Sequence, residues 1–152
     1  MSDAGLTIND TDQFLSHAVW LERRLFEIVG GCVASTSEPV AKLAFARQSR
    51  RHGWHAELLE PLRPDTRDHD PAVSAPLDPT WRTDVSRLLA ATTTAQRAYH
   101  LAALLTRAMA GYEEHLARML GFRDGSLMRV LWIIIDDEQA ALADLAGFRA
   151  GI

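Results

Sequence analysis

The chain has 152 residues, a size at which one domain can bury a sizeable core without disulfides. Hydrophobic residues make up 47% and charged residues 24%, and the net charge of -4 argues against a basic surface for nucleic acid. A single cysteine, the lack of a signal sequence and the lack of an apolar run of about 20 residues argue against disulfides, export and membrane insertion. We therefore expect one cytoplasmic, all-α domain over residues 1–152.

The first two predicted helices are joined by a short turn. After a tail of residues 1–10, capping residues up to Thr11 and apolar residues at a helical period predict a helix over 11–34. A capping-box pattern that starts at Ser35 predicts a second helix over 38–60. A connection this short makes the two helices antiparallel neighbours.

A proline-rich segment separates these helices from the rest of the chain. Five of the six prolines lie within residues 61–79, which predicts a long crossover. Helical patterns then run over 80–120, with the threonines at 92–94 as the place for a break, and over 126–147. One long connection among four helices favours an antiparallel four-helix bundle of the ferritin-like kind, with its crossover between helices 2 and 3.

Polar residues interrupt the apolar faces of three predicted helices. Glu22 is in register with the core residues of the first helix, and Glu138 is in register with those of the fourth. On the second helix, Gln48, His52 and His55 share one stripe, and the two histidines have the i, i+3 spacing that lets both reach one centre. Counted from the first turn, Glu22 and His52 lie at heights that differ by only about 3 Å. We expect Glu22, His55 and His52 to converge in the interior, because a buried carboxylate needs a partner.

The stretch from Arg51 to Pro61, RHGWHAELLEP, resembles small actinobacterial ferritin-like proteins, and nearly the whole chain resembles the ferritin-like superfamily. The resemblance implies the four-helix bundle and its crossover. In di-metal members, each half of the bundle supplies a glutamate and a Glu-x-x-His motif. Glu22 matches the first glutamate and His55 the first histidine, but His52 stands where the motif has its glutamate.

The second half departs further from the di-metal pattern. Glu138 is followed at i+3 by Ala141, and no glutamate of the third helix reaches its height. Two ferric ions need several carboxylates, so these departures argue against a standard di-iron centre. Two alternatives stay open. One is a single Fe, Mn or Zn ion held by Glu22, His52, His55 and Glu138; the other is a metal-free network in which Arg107 or Arg51 neutralises the carboxylates.

Other residues are candidates for a pocket or an interface. Tyr112 and His115 share a face of the third helix and could line a pocket with Gln48 and Arg107, although such residues are more often core. Exposure of Trp20 or Trp81 would favour burial against a second copy, which predicts a homodimer. The two remaining tryptophans, Trp54 and Trp132, are expected to pack inside.

Two functions from different classes follow from these residues. The first is a mononuclear metal-assisted or acid-base enzyme that acts on a small molecule inside the bundle. The second is a non-catalytic, metal-free ferritin-like dimer or accessory protein whose polar centre is structural.

Overall fold

The computed structural model describes residues 5–65 and 74–149, which form five α-helices, a short 3-10 turn at Glu60–Leu62 and no β-strand. The predicted all-α class is confirmed. Within these two ranges, none of the helices combines the length and hydropathy that a bilayer crossing requires. Of the predicted crossover, residues 66–73 lie outside the described residues. The helices are α1 (Ile8–Ala34), α2 (Pro39–Leu59), α3 (Pro79–Ala90), α4 (Thr94–Ala117) and α5 (Gly121–Ala146).

The first helix begins earlier than predicted because its cap is earlier. The Thr7 side chain accepts a hydrogen bond from the Asp10 backbone N–H at 3.0 Å, and the Asp10 carboxylate accepts one from the Thr7 N–H at 2.8 Å. This reciprocal capping box satisfies two backbone donors that the helix itself leaves free. The predicted tail of residues 1–10 therefore ends at Thr7, and residues 1–4 of it lie outside the described residues.

The predicted third helix is two helices, with the break at the threonines where one was expected. Thr93 caps α4 by accepting from the Gln96 backbone N–H at 3.1 Å, and the Gln96 side chain accepts from the Thr93 N–H at 3.4 Å. The second capping box lets the chain change direction between α3 and α4.

The last helix begins at Gly121, ahead of the start predicted at residue 126. The Asp124 carboxylate accepts from the Leu120 backbone N–H at 2.9 Å and places a negative charge in the first turn, where the helix dipole favours it. The link to α4 is correspondingly shorter than predicted.

Two glycines allow α1 and α2 to pack closely. A Cβ atom on Gly30 would lie 2.9 Å from the Ser49 Oγ, and one on Gly53 would lie 3.1 Å from the Phe26 ring. Ser49 also donates a hydrogen bond of 2.8 Å to the Phe26 carbonyl oxygen, which joins the two helices at this level. Because α1 and α2 are antiparallel, the close approach brings the middle of α1 against the second half of α2.

The fourth helix also runs antiparallel to α1. Near its start, Arg97 donates to the side chains of Ser35 and Thr36, just beyond the end of α1. Near its end, His115 stacks on Phe14 with 3.7 Å between the ring centroids. It follows that α2 and α4 run in the same direction.

The tryptophan predictions are wrong in both directions. Trp20 and Trp81 are each only 5% exposed, whereas Trp54 is 44% and Trp132 is 56% exposed. Trp81 is buried because α3 folds back over α1 and α4, where its ring packs against Arg107 and lies 4.5 Å from the His17 ring.

Candidate metal centre

Two glutamates and two histidines form one buried cluster where α1, α2 and α5 meet. Glu22, His52, His55 and Glu138 each offer one ligand atom, and the four atoms all lie within 4.8 Å of one another. Each residue is at most 2% exposed. The predicted convergence of Glu22, His52 and His55 is confirmed, and the further candidate Glu138 lies with them.

The Nδ1 atoms of both histidines face the two carboxylates. His52 Nδ1 lies 2.7 Å and His55 Nδ1 3.3 Å from the same Glu22 oxygen, Oε2. Glu138 Oε1 lies 3.5 Å from the first nitrogen and 3.4 Å from the second. In the described part of the chain, this buried Glu138 oxygen has no hydrogen-bond partner. Two nitrogens and two oxygens thus enclose one small volume.

A fifth residue, Asp137, fixes the orientation of His55. The His55 Nε2 lies 2.9 Å from Asp137 Oδ2, so Nε2 carries the proton that it donates to this carboxylate. In a neutral imidazole, Nδ1 then has a free lone pair that points at the cluster. Sequence analysis missed this role. The only sequence signal for this role is that Asp137 is adjacent to Glu138. That signal is weak, because the contact between Asp137 and His55 depends on how α2 and α5 pack.

Tyr112 of α4 holds the first glutamate in place. Its hydroxyl donates to Glu22 Oε1 at 3.0 Å. Burial and the negative charges of Glu22 and Glu138 raise the pKa of Tyr112 well above its usual value. The phenol therefore stays protonated and remains a donor.

The charges within the cluster stabilise one another in the absence of a metal. Burial raises the pKa of Glu22, but His52 and the hydrogen bonds from both histidines lower it to about 2. Burial lowers the pKa of His55, but contacts with Glu138, Glu22 and Asp137 raise it to about 10. The pKa of His52 is also raised, since Glu138 and Glu22 outweigh its burial. Two histidinium ions can therefore balance two buried carboxylates.

Three other predicted pocket residues, Gln48, His115 and Arg107, make no hydrogen bond with the four candidate ligands within the described part of the chain. Gln48 lies one turn before His52 and is buried, with its amide nitrogen and oxygen unpaired within the described residues. His115 lies near the end of α4, against Phe14. Arg107 binds Asp84 at 2.7 Å, so the expected contact between Arg107 and Glu138 is wrong.

Comparisons with known protein families, curated proteins and solved structures give no match. The chemistry of the centre therefore rests on its own atoms.

The donor set fits a divalent transition-metal ion. Imidazole nitrogens and carboxylate oxygens suit Zn, Fe and Mn, and two of each can complete a tetrahedral site. An ion would bind Glu138 Oε1, whose contacts with the histidine nitrogens are long at 3.4 and 3.5 Å, and would replace the two histidine protons. Asp137 supplies the carboxylate that commonly orients a metal-binding histidine. The cluster can hold a metal ion.

Proposed function

We propose that this chain is a ferritin-like four-helix-bundle protein that binds one divalent Zn, Fe or Mn ion at Glu22, His52, His55 and Glu138, and that uses the ion in chemistry on a small molecule. The observation that carries the proposal is the convergence of four buried ligand atoms within 4.8 Å of one another. The contact between Asp137 and His55 Nε2 also supports the proposal, because it leaves His55 Nδ1 available for the ion.

The ferritin-like part of the proposal is supported by helix direction. α2 and α4 run in the same direction, so the chain between them has to travel the length of the helices. A long crossover in this position distinguishes ferritin-like bundles from bundles with three short loops. In this proposal, α3 belongs to the crossover, because it folds back along α4 and its Asp84 contacts Arg107 of α4.

A single ion is favoured over a metal pair by the number of carboxylates. A di-metal centre of this class uses four glutamates and two histidines, whereas this cluster contributes two of each. With two carboxylates, the charge of one divalent ion is balanced and that of two is not. We therefore propose a stoichiometry of one ion per chain.

Chemistry on a small molecule requires that one ligand can give way. Glu22 is held by Tyr112 at 3.0 Å and by His52 at 2.7 Å, whereas Glu138 Oε1 meets the two histidine nitrogens only at 3.4 and 3.5 Å. Glu138 is therefore the ligand that can most easily change its coordination and open a position on the ion. A cavity of about 240 Å³ reaches Tyr112, whose hydroxyl is bound to Glu22.

A second candidate function is a non-catalytic, metal-free protein whose centre is structural. It is favoured by the short contact of 2.7 Å between His52 Nδ1 and Glu22 Oε2, which makes an ion pair without a metal. Loss of one partner from such a buried pair is strongly destabilising. A structural role would therefore also explain why all four residues are buried together.

Metal content separates the two candidates. Protein purified after growth with Zn, Mn or Fe is assayed by elemental analysis, and protein treated with chelator is titrated with each ion by calorimetry. We expect one ion per chain in the parent, loss of the ion in Glu138→Gln, and full retention in Asp136→Asn, a matched control on the exposed side of α5. A parent protein that neither carries nor takes up an ion, and is not stabilised by one, would support the structural candidate instead.

We propose further that two copies associate through the outer face of α5. Trp132 and Ile133 are 56% and 41% exposed on neighbouring positions of this helix. Such adjacent apolar side chains are commonly covered by a partner. Sedimentation at micromolar concentrations should give a dimer that Trp132→Asp converts to a monomer, while a monomeric parent would contradict the proposal.

A further inference from the structure

A cavity of about 240 Å³ lies between the start of α1 and the second half of α4. Five of its lining residues carry rings: Phe14, His17, Trp81, Tyr112 and His115. Its volume exceeds that of an engineered cavity of about 150 Å³ that binds benzene. The space is sufficient for a molecule of one or two rings.

Contacts between the lining rings keep the cavity in shape. Phe14 stacks on His115 with 3.7 Å between centroids and an angle of 6°, and it meets Tyr112 edge-on at 5.8 Å. On the other side, His17 lies 4.5 Å from the Trp81 ring. Aromatic walls of this kind favour a planar ligand, because edge-on and offset-stacked ring pairs are stabilising.

One polar atom of a lining residue has no hydrogen-bond partner within the described residues. His115 Nε2 is buried and has no hydrogen-bond partner there, and the residue is only 7% exposed. A buried polar atom without a partner is destabilising, and a ligand hydroxyl or N–H would satisfy it. His17 differs in this respect, since its Nδ1 accepts from the Leu77 backbone N–H at 3.2 Å.

The two imidazoles of the wall are uncharged at neutral pH. Burial, with a smaller effect of Arg107, lowers the pKa of His17 to about 4. Burial, with a smaller effect of Arg118, lowers the pKa of His115 to about 4. Each imidazole can therefore offer one nitrogen as a hydrogen-bond acceptor, while the charged residues of the wall are Asp10, Glu114 and Arg118.

We infer that this cavity binds a small aromatic molecule of one or two rings that carries a hydroxyl or N–H group, with that group hydrogen-bonded to His115 Nε2. The inference goes beyond the metal centre and does not depend on an ion. The two sites meet at Tyr112, which lines the cavity and donates to Glu22. A molecule bound here therefore lies on the far side of the residue that positions a candidate ligand.

Phenol and toluene provide a matched pair of probes, because they have nearly the same shape and differ in the hydroxyl. Binding of each to the full chain is measured by calorimetry or by NMR chemical shifts, in chelator-treated protein so that metal plays no part. We expect phenol to bind five- to tenfold more tightly than toluene, which is the effect of one hydrogen bond. No binding of either probe at millimolar concentration would overturn the inference.

Two variants locate the probe. Gly111 lines the cavity, and a Cβ atom built on it meets nothing within 4 Å, so Gly111→Leu adds a side chain without a clash in α4. This variant should keep its helical signal and lose both probes. His115→Phe keeps a ring against Phe14 and removes the hydrogen bond, so phenol and toluene should bind equally. His100→Phe is the control on the same helix and should match the parent.

The variants can also contradict the inference. Phenol binding that persists unchanged in Gly111→Leu would place the probe elsewhere on the protein. A preference for phenol that survives in His115→Phe would show that His115 does not bind the hydroxyl.

Discussion

His55 contacts Asp137 through Nε2 at 2.9 Å while its Nδ1 faces Glu22 at 3.3 Å. One imidazole thus joins a half-exposed carboxylate of α5 to a buried carboxylate of α1. The first contact decides which nitrogen carries the proton, and the second shows where the other nitrogen would bind an ion.

The contact between His55 and Asp137 leads to the first prediction. Asp137→Asn keeps the size of the side chain but removes the charge that orients the imidazole, so metal affinity should fall 10- to 100-fold. Competition with a chelator of known affinity measures the change. Asp136→Asn, on the exposed side of the same helix, should leave the affinity unchanged, and an equal loss in both variants would contradict a specific role for Asp137.

The second prediction concerns the stability of the metal-free protein. Glu22→Ala removes the closest carboxylate of His52, which leaves Glu138, at 3.4 to 3.5 Å, as the one buried carboxylate that faces both histidines. The free energy of unfolding, measured with urea in the presence of chelator, should fall by about 3–5 kcal/mol. Glu27→Ala breaks an exposed pair with Arg24 on the same helix and should lower it by no more than about 1 kcal/mol. Equal stability of the two variants would show that Glu22 is not ion-paired.

The third prediction follows from the raised pKa values of His52 and His55. The raised pKa values favour the protonated form of both imidazoles in the metal-free protein, and a protonated imidazole must lose a proton to bind an ion. Metal uptake at pH 7 should therefore release about two protons, and apparent affinity should increase as pH rises. Calorimetry in buffers of different ionisation enthalpy counts the protons. Uptake without proton release would mean that these histidines are not the ligands.

Much of the helical structure could be predicted from the sequence, because a helix needs only a periodic apolar face and a cap. The interior of each helix follows from that period, and the break at residues 92–94 follows from the threonines there. The predicted start of α1 differs from the observed one because several residues near Thr11 can cap a helix. The Thr7–Asp10 pair makes two hydrogen bonds at once and therefore sets the start.

Only those contacts of the centre that depend on the register of neighbouring helices could be predicted from the sequence. The meeting of Glu22 with His52 follows from their heights along antiparallel neighbours. The roles of Asp137 and Arg107 do not, because they depend on the rotation of α5 about its axis and on α3 folding back over α4. Once α3 lies there, Asp84 and Trp81 contact Arg107 and keep it from Glu138.

The fourth prediction tests the close approach of α1 and α2 with two neighbouring glycines. A Cβ atom on Gly31 meets nothing within 4 Å, so Gly31→Ala should raise the free energy of unfolding by up to about 1 kcal/mol through helix propensity. A Cβ atom on Gly30 would lie 2.9 Å from Ser49 Oγ and displace the hydrogen bond that Ser49 donates to Phe26. Gly30→Ala should therefore be less stable than Gly31→Ala by at least about 1 kcal/mol. Equal gains in thermal unfolding would mean that the helices are not in close contact here.

The last prediction is the pH dependence of stability in the metal-free protein, in which two pairs of histidines act in different pH ranges. His17 and His115 have folded-state pKa values of about 4, below the usual value of 6.5. The unfolded chain therefore binds more protons between these values, and stability is lost as pH falls from 6.5 to 4, by up to about 3 kcal/mol for each histidine.

His52 and His55 have the opposite effect. Their pKa values are raised in the folded state, to about 10 for His55, so their contribution is complete below pH 6.5 and is lost as pH rises towards 10. The stability of the metal-free protein should therefore be greatest near pH 6.5 and decrease on both sides. Urea unfolding at several pH values with chelator present measures this profile.

Single variants assign each side of the profile to its histidines. His115→Phe, which keeps the stacking on Phe14, should weaken the loss between pH 6.5 and 4 and leave the alkaline side as in the parent. His55→Gln should flatten the alkaline side and leave the acid side in place. His100→Phe, whose histidine lies outside both groups, should reproduce the parent profile. Acid sensitivity that is unchanged in His115→Phe would mean that the pKa of His115 is not lowered in the folded protein, because a group changes stability with pH only where its folded and unfolded pKa values differ.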